Sequence, residues 1–160
     1  MKFNSIDEID KFSFKDAEIR EYKSDQDAIE FTIEALIVKQ NNSQNTNYTD
    51  SYADTAYLRL DKGEILSAFK EGYSYYDAND KLIEKKEDEK LSLEETNSLL
   101  KSSKGAYLYE IKYEDDKYSL AIEFIDGDQF DPADSTSYYV FIKADSLTVS
   151  WDRYLNRVQN

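Results

Sequence analysis

The chain has 160 residues and a mass of 18.7 kDa, with 34 Asp/Glu against 20 Lys/Arg and a formal net charge of −14. It contains no His and no Cys, which removes imidazole acid–base catalysis, thiol nucleophiles, disulfides, and metal sites built on those ligands. The charge opposes direct binding to nucleic acid or an anionic membrane, while 40% hydrophobic and 14% aromatic residues exceed what a disordered acidic chain carries.

In chain order, Ser5 stands as an N-cap before Asp7 and Glu8, and Ile6, Ile9 and Phe12 recur three apart, which predicts a short helical turn. A strand over 14–22 is then expected to join a second through the turn Ser24-Asp25-Gln26-Asp27. In that second strand Ile29, Phe31, Ile33, Ala35 and Ile37 alternate with Glu30, Thr32 and Glu34, the pattern of a half-buried strand, and Leu36 and Val38 fill its other face. Residues 40–50 form a polar, nearly uncharged loop of the kind that is often functional or mobile. Its two glycosylation sequons, at Asn41 and Asn47, carry no weight without a secretory signal.

Strands over 52–60 and 64–76 are predicted to meet at Asp61-Lys62-Gly63, with Gly72 marking a bulge or bend. After the turn 77–80 and a short strand over 81–84, the mixed-charge run 85–90 reads as a solvated connection. Ser92 and Glu95 then make a capping box for a helix that ends before Gly105. Three aromatic-rich strands follow over 106–114, 117–125 and 137–143, the first two joined at Asp115-Asp116. Leu147, Val149 and Trp151 alternate as a strand. Trp151, Tyr154, Leu155 and Val158 fit a terminal helical turn capped at Ser150.

These elements predict one mainly β domain over residues 1–160, an antiparallel meander of about eight strands, sandwich or barrel, with one or two short helices. No apolar run approaches the ~18 residues of a membrane span. The acidic N-terminus lacks the apolar stretch of a signal peptide, so the expected compartment is the cytoplasm. A composition rich in Lys, Asn, Asp, Ile and Tyr and poor in Pro has the look of a small protein from a low-GC bacterium.

No nucleophile elbow, phosphate-binding Gly-rich loop or dinucleotide fingerprint is present. With 34 acids, pairs of carboxylates arise by chance and mark no glycosidase. The expectation is therefore a protein that binds rather than catalyses. Two features stand out. Between residues 114 and 134 lie eight acids and one base, Lys117, so half the net charge sits in 21 residues. Fourteen Tyr are present, of which Tyr107, Tyr109 and Tyr113 are predicted to share one strand face with Ile111. Tyr combines large contact area with few rotatable bonds and a polar tip.

The predicted binding residues are accordingly Tyr107, Tyr109, Tyr113, Glu114, Asp115 and Asp116, facing a basic protein. An inhibitor or immunity-type protein, whose carboxylates imitate phosphate, is one form of this. The alternative is a β-barrel enclosing a small apolar ligand among Phe31, Ile33, Tyr109 and Phe124. No cofactor is required. The one place for a hard cation is Asp126, Asp128, Asp131 and Asp134, four carboxylates able to offer oxygen to Ca²⁺ but without EF-hand spacing. Turn chemistry is the better explanation for those acids and for Asp77-Ala78-Asn79-Asp80, where Lys81 would repel an ion.

Overall fold

Alternating apolar and polar residues make strands, and strands dominate the computed structural model, which describes residues 1–125 and 135–159. The chain begins with β1 (Phe3–Ile6), a 3-10 turn (Ile9–Lys11), β2 (Phe12–Ser13), β3 (Glu18–Ser24), β4 (Ala28–Glu34) and β5 (Ile37–Val38). Next come β6 (Ser51–Ala53), β7 (Ala56–Asp61), β8 (Glu64–Lys70), β9 (Tyr73–Tyr76), β10 (Leu82–Lys86) and β11 (Glu89–Lys90). The one helix of the described residues, α1 (Leu93–Lys101), precedes β12 (Tyr107–Glu114) and β13 (Lys117–Ile125). Then β14 (Ser135–Lys143), β15 (Ser146–Trp151) and β16 (Tyr154–Arg157) complete the described chain. No helix among the described residues is long and apolar enough to cross a membrane.

The fold is mainly β and antiparallel as expected, with more strands than the expected eight. Ten strands form one sheet in the order β1-β15-β7-β4-β3-β12-β13-β14-β8-β11. At the junction of β3 and β12 the ladder narrows to the pair Tyr107↔Glu18, supported by Ile19 N–H to Ala106 O at 2.8 Å and Leu108 N–H to Ala17 O at 3.0 Å. The two halves on either side share one core. Ile19, Phe31, Ile33, Leu58 and Leu60 of the first half cluster with Leu108, Leu120, Ile122, Val140 and Ile142 of the second. Each fully buried side chain of this size stabilises the fold by about 1.5–3 kcal/mol before conformational entropy is counted.

Two tight corners carry the chain from one half to the other. The turn after β7 links two strands as expected, yet they do not pair with each other: β7 pairs with β4 and β15, whereas β8 pairs with β14 and β11. The corner between β14 and β15 lies against it, with Asp145 N–H donating to Asp61 O at 2.9 Å. A turn sequence fixes a change of direction and leaves the partner of each strand to the core.

Further expectations change at the ends. Residues 3–6 are an edge strand rather than part of a helical turn, and only Ile9–Lys11 coil. The expected terminal helix is absent: Tyr154–Arg157 form β16, paired with β6 in a four-stranded sheet β16-β6-β5-β2. Trp151 is fully buried and stacks on Phe3 with ring centroids 5.6 Å apart. Its place in β15 sends the following residues along β6. The second strand also breaks early, because Ala35 adopts a left-handed φ of 61° and diverts Leu36–Val38 into the smaller sheet.

The polar loop 40–50 is tied down. Asn45 Nδ2 lies 3.1, 3.1 and 2.9 Å from the carbonyls of Val38, Lys39 and Thr49, and Asp50 Oδ1 accepts from Gln40 N–H at 2.7 Å. Glu8 anchors it to the 3-10 turn by accepting from Ser43 N–H at 3.1 Å and from the Ser43 hydroxyl. The helix forms as predicted, with both halves of the Ser92/Glu95 capping box present. It buries Thr96 and Leu100.

Candidate functional site

On β12 a bulge between Leu108 and Glu110 breaks the alternation, so that Leu108 and Ile111, three apart, are both buried. The predicted shared face therefore splits. Tyr107 and Tyr109 lie on the side away from Leu108, over a shallow recess with Lys15, Asp16, Glu18, Glu123 and Ile125. Tyr109 there hydrogen-bonds Tyr139, whose hydroxyl donates to Glu71 Oε1 at 3.2 Å, and burial followed by these contacts pushes the Tyr139 phenol well up. Tyr113, past the bulge, comes instead to the Ile111 side.

That side opens into a groove of about 680 Å³. Its floor is Ile9, Ile111, Tyr113 and Tyr118, with the two tyrosine ring centroids 4.7 Å apart. Its rim carries four carboxylates, Asp7, Asp10, Glu114 and Asp145, and one ammonium, Lys112, which is 3.5 Å from Glu110. The walls come from four places in the chain: the 3-10 turn, the end of β12, the start of β13, and the corner before β15.

The geometry is fixed from beneath. Asp7, at a left-handed φ of 53°, accepts from Leu147 N–H at 2.9 Å and from the Tyr118 hydroxyl at 3.4 Å. Its own N–H donates to Leu147 O at 2.8 Å. Burial pushes the Tyr118 phenol up to about 12, with the neighbouring Asp7 charge adding to it. Tyr118 therefore stays a neutral donor at physiological pH. Glu8 holds the adjacent turn. Desolvation, the largest influence, pushes its carboxyl up, but hydrogen bonds from Ser43 and Ser5 and the contact with Lys11 outweigh it, and the net shift is downward. Asp10, Glu114 and Asp145 are exposed. Asp145 pairs with Lys62 at 3.8 Å, a contact that is largely solvated and weak.

Of the predicted binding residues, Tyr113 and Glu114 line this groove, whereas Tyr107 and Tyr109 lie across the sheet. Asp115 and Asp116 form the turn between β12 and β13 at φ 53° and 60°. Two successive left-handed residues are what a tight hairpin turn demands, and Asp tolerates that conformation. The groove residues Asp7, Ile9, Asp10, Tyr118 and Asp145 were not singled out, because their meeting depends on strand order. The candidate cation residues Asp126, Asp128, Asp131 and Asp134 lie outside the described residues. At 77–80, Asp77 Oδ1 accepts from Asn79 N–H at 2.8 Å and Lys81 N–H at 2.9 Å, which is turn chemistry. The chain matches no family model, no curated protein and no solved structure.

Proposed function

We propose that the chain is a non-catalytic interaction domain that docks a basic protein by seating its Lys or Arg side chains in the acidic groove. The observation that carries this reading is the pairing of an aromatic floor, Tyr113 and Tyr118, with a rim of four carboxylates. A cationic side chain entering there places its stem on the rings and its charge among the carboxylates, and both contacts favour it. The net charge of −14 adds long-range attraction that speeds encounter with a basic surface. An inhibitor that occupies the cleft of a nucleic-acid-binding protein by imitating phosphate is one form of this activity. The alternative of an enclosed apolar ligand draws less support, since Phe31 and Ile33 are packed in the core cluster.

The test is calorimetric titration of the full chain with an Arg-rich peptide at low and high salt. It is repeated on the variant carrying Asp10→Asn, Glu114→Gln and Asp145→Asn together. The expected result is binding that weakens steeply with salt and falls on the order of tenfold in the variant. Binding that ignores the three substitutions, or no binding at low salt, overturns the proposal.

A further inference from the structure

The groove runs along a strand edge that has no strand beside it. β12 pairs with β13 from Tyr107 to Glu114, but its other side meets β3 only at Tyr107↔Glu18. Past that point the segment before β3 bends away, because Phe12–Ser13 pair with β5 in the smaller sheet. The 3-10 turn, which forms another wall of the groove, directs its carbonyls elsewhere. Glu8 O accepts from Lys11 N–H at 2.8 Å, and Lys11 O accepts from Lys39 N–H at 3.1 Å.

The hairpin fixes which backbone groups this edge presents. Asp115 and Asp116, both at left-handed φ, make a two-residue turn, so Glu114 and Lys117 exchange backbone hydrogen bonds, and Lys112 and Ser119 do the same. The intervening Ile111 and Tyr113 therefore point their N–H and C=O away from β13. Among the described residues nothing bonds them on that side. The edge thus offers two donors and two acceptors in the spacing of a strand, and the side chains of the same residues line the groove.

An open edge invites another strand, and charge decides which one this edge admits. Asp7, Asp10, Glu114 and Asp145 ring the groove, while its one ammonium, Lys112, lies 3.5 Å from Glu110. A second copy of this chain, at −14, is repelled there, and a basic segment is attracted. Side chains of an added strand that lie opposite Ile111 and Tyr113 fall on the face of those residues, toward Ile9, Tyr118 and the carboxylates of Asp7 and Asp10. The intervening side chains fall on the other face, with Lys112 and Glu114.

We infer that the partner binds as an extended basic segment that adds a strand to β12 at Ile111–Tyr113, with Lys or Arg at every second position over the groove floor. This rests on the groove being the site that takes the partner's cations. Main-chain bonds to Ile111 and Tyr113 set the register of the segment, and the alternating cations meet the aromatic floor and its carboxylates.

The experiment titrates the full chain calorimetrically at low salt with the end-blocked peptide Arg-Thr-Arg-Thr-Arg-Thr-Arg. Two derivatives follow, one N-methylated at the backbone amide of every Arg and one at that of every Thr. A strand bonds its neighbour through alternate residues, so one methyl set falls on the β12 side and the other on the solvent side. One derivative is expected to bind on the order of tenfold more weakly than the parent peptide, and the other within about twofold of it. Loss from the Arg set marks antiparallel addition and loss from the Thr set marks parallel addition, and either supports the inference. Amide hydrogen exchange supplies a second readout. The parent peptide is expected to slow Ile111 and Tyr113 on the order of tenfold and to leave Lys112 and Glu114, already bonded to β13, unchanged. Equal effects of the two methyl sets, or exchange at Ile111 and Tyr113 that the peptide does not alter, overturn this inference alone and leave side-chain docking in the groove standing. No binding of the parent peptide overturns both.

Discussion

The groove and the two-stranded ribbon of β9 and β10 stand at opposite ends of the same strands. Register places Tyr118 opposite Ile142 near the groove and Ile125 opposite Ser135 toward the ribbon, while β8 runs from Glu64 at the corner to Lys70 at the ribbon root. Both ends present tyrosines, and they present them differently. Tyr118 is 5% exposed and roots the groove in the core, whereas Tyr76 is 60% exposed. The groove carries a surplus of negative charge on a rigid frame, while the ribbon, whose strands are wholly exposed, balances Asp77, Asp80 and Glu84 against Lys81, Lys85 and Lys86. The same residue type thus serves as a structural pier at one end and lies open to water at the other.

The sharpest contrast is in stability. Tyr118→Ala removes a buried ring and is expected to cost about 3–5 kcal/mol. Leu82→Ala, measured by denaturant unfolding at dilute protein, is expected to stay within about 0.5 kcal/mol. A large loss from Leu82→Ala would show that the ribbon packs on its own chain and would break the comparison. In alkali several raised tyrosines contribute, Tyr139 among them, and the difference between the parent chain and Tyr118→Phe reads the Tyr118 phenol, whose folded value near 12 lies above its ordinary value of 10. The unfolded form ionises first, so this stabilisation is full below about pH 10 and is lost between about pH 10 and 12. Tyr118→Phe is expected to remove up to about 2 kcal/mol of that decline, read as a flatter stability–pH curve.

Acid tests the other support of the groove. The Glu8 carboxyl is lowered when folded, so its contribution is present above the ordinary carboxylate range and is lost as pH falls through the folded value. Glu8→Gln is expected to cost about 1 kcal/mol at neutral pH. The gap from the parent chain should close below about pH 4, as followed by unfolding at both pH values. Gly72→Ala forces open the backbone crossing at Lys86, and because β9 and β10 are wholly exposed its cost is expected to stay in the ribbon and leave the cooperative unfolding of the core little changed. That variant should nonetheless speed amide hydrogen exchange across 73–86 and leave exchange at β12–β13 unchanged.

Much of the architecture was legible because burial follows alternation. Phe31 and Ile33 declared β4, and Ser92 with Glu95 declared the helix start, through spacing alone. The bulge before Glu110 had no such signal. Nothing in the run Tyr107 to Tyr113 marks the extra residue, yet it moves Tyr113 to the opposite side from Tyr107 and Tyr109. Gly72 announced a bend, but the excursion it permits depends on Lys86 lying across it. Tyr154 and Leu155 have a helical spacing that pairing with β6 overrides. In the groove, Tyr113 and Glu114 stood in a dense acidic, aromatic stretch and were found. Asp7, Asp10 and Asp145 are ordinary loop acids until the corner and the edge strand bring them together.

The edge strand also bears on how the protein is made. Asn4 on β1 is bonded to Ser150 on β15, 146 positions later in the chain. During translation the partner of β1 does not yet exist. At about 5–20 residues per second, β1 waits roughly 7–30 s before Trp151 emerges to stack on Phe3. Until then Phe3 and the row of backbone amides on β1 are uncovered. β1 is thus made well before its partner and is among the last strands to be placed, and nascent chains of this protein pass through an interval in which a chaperone has an uncovered strand to hold.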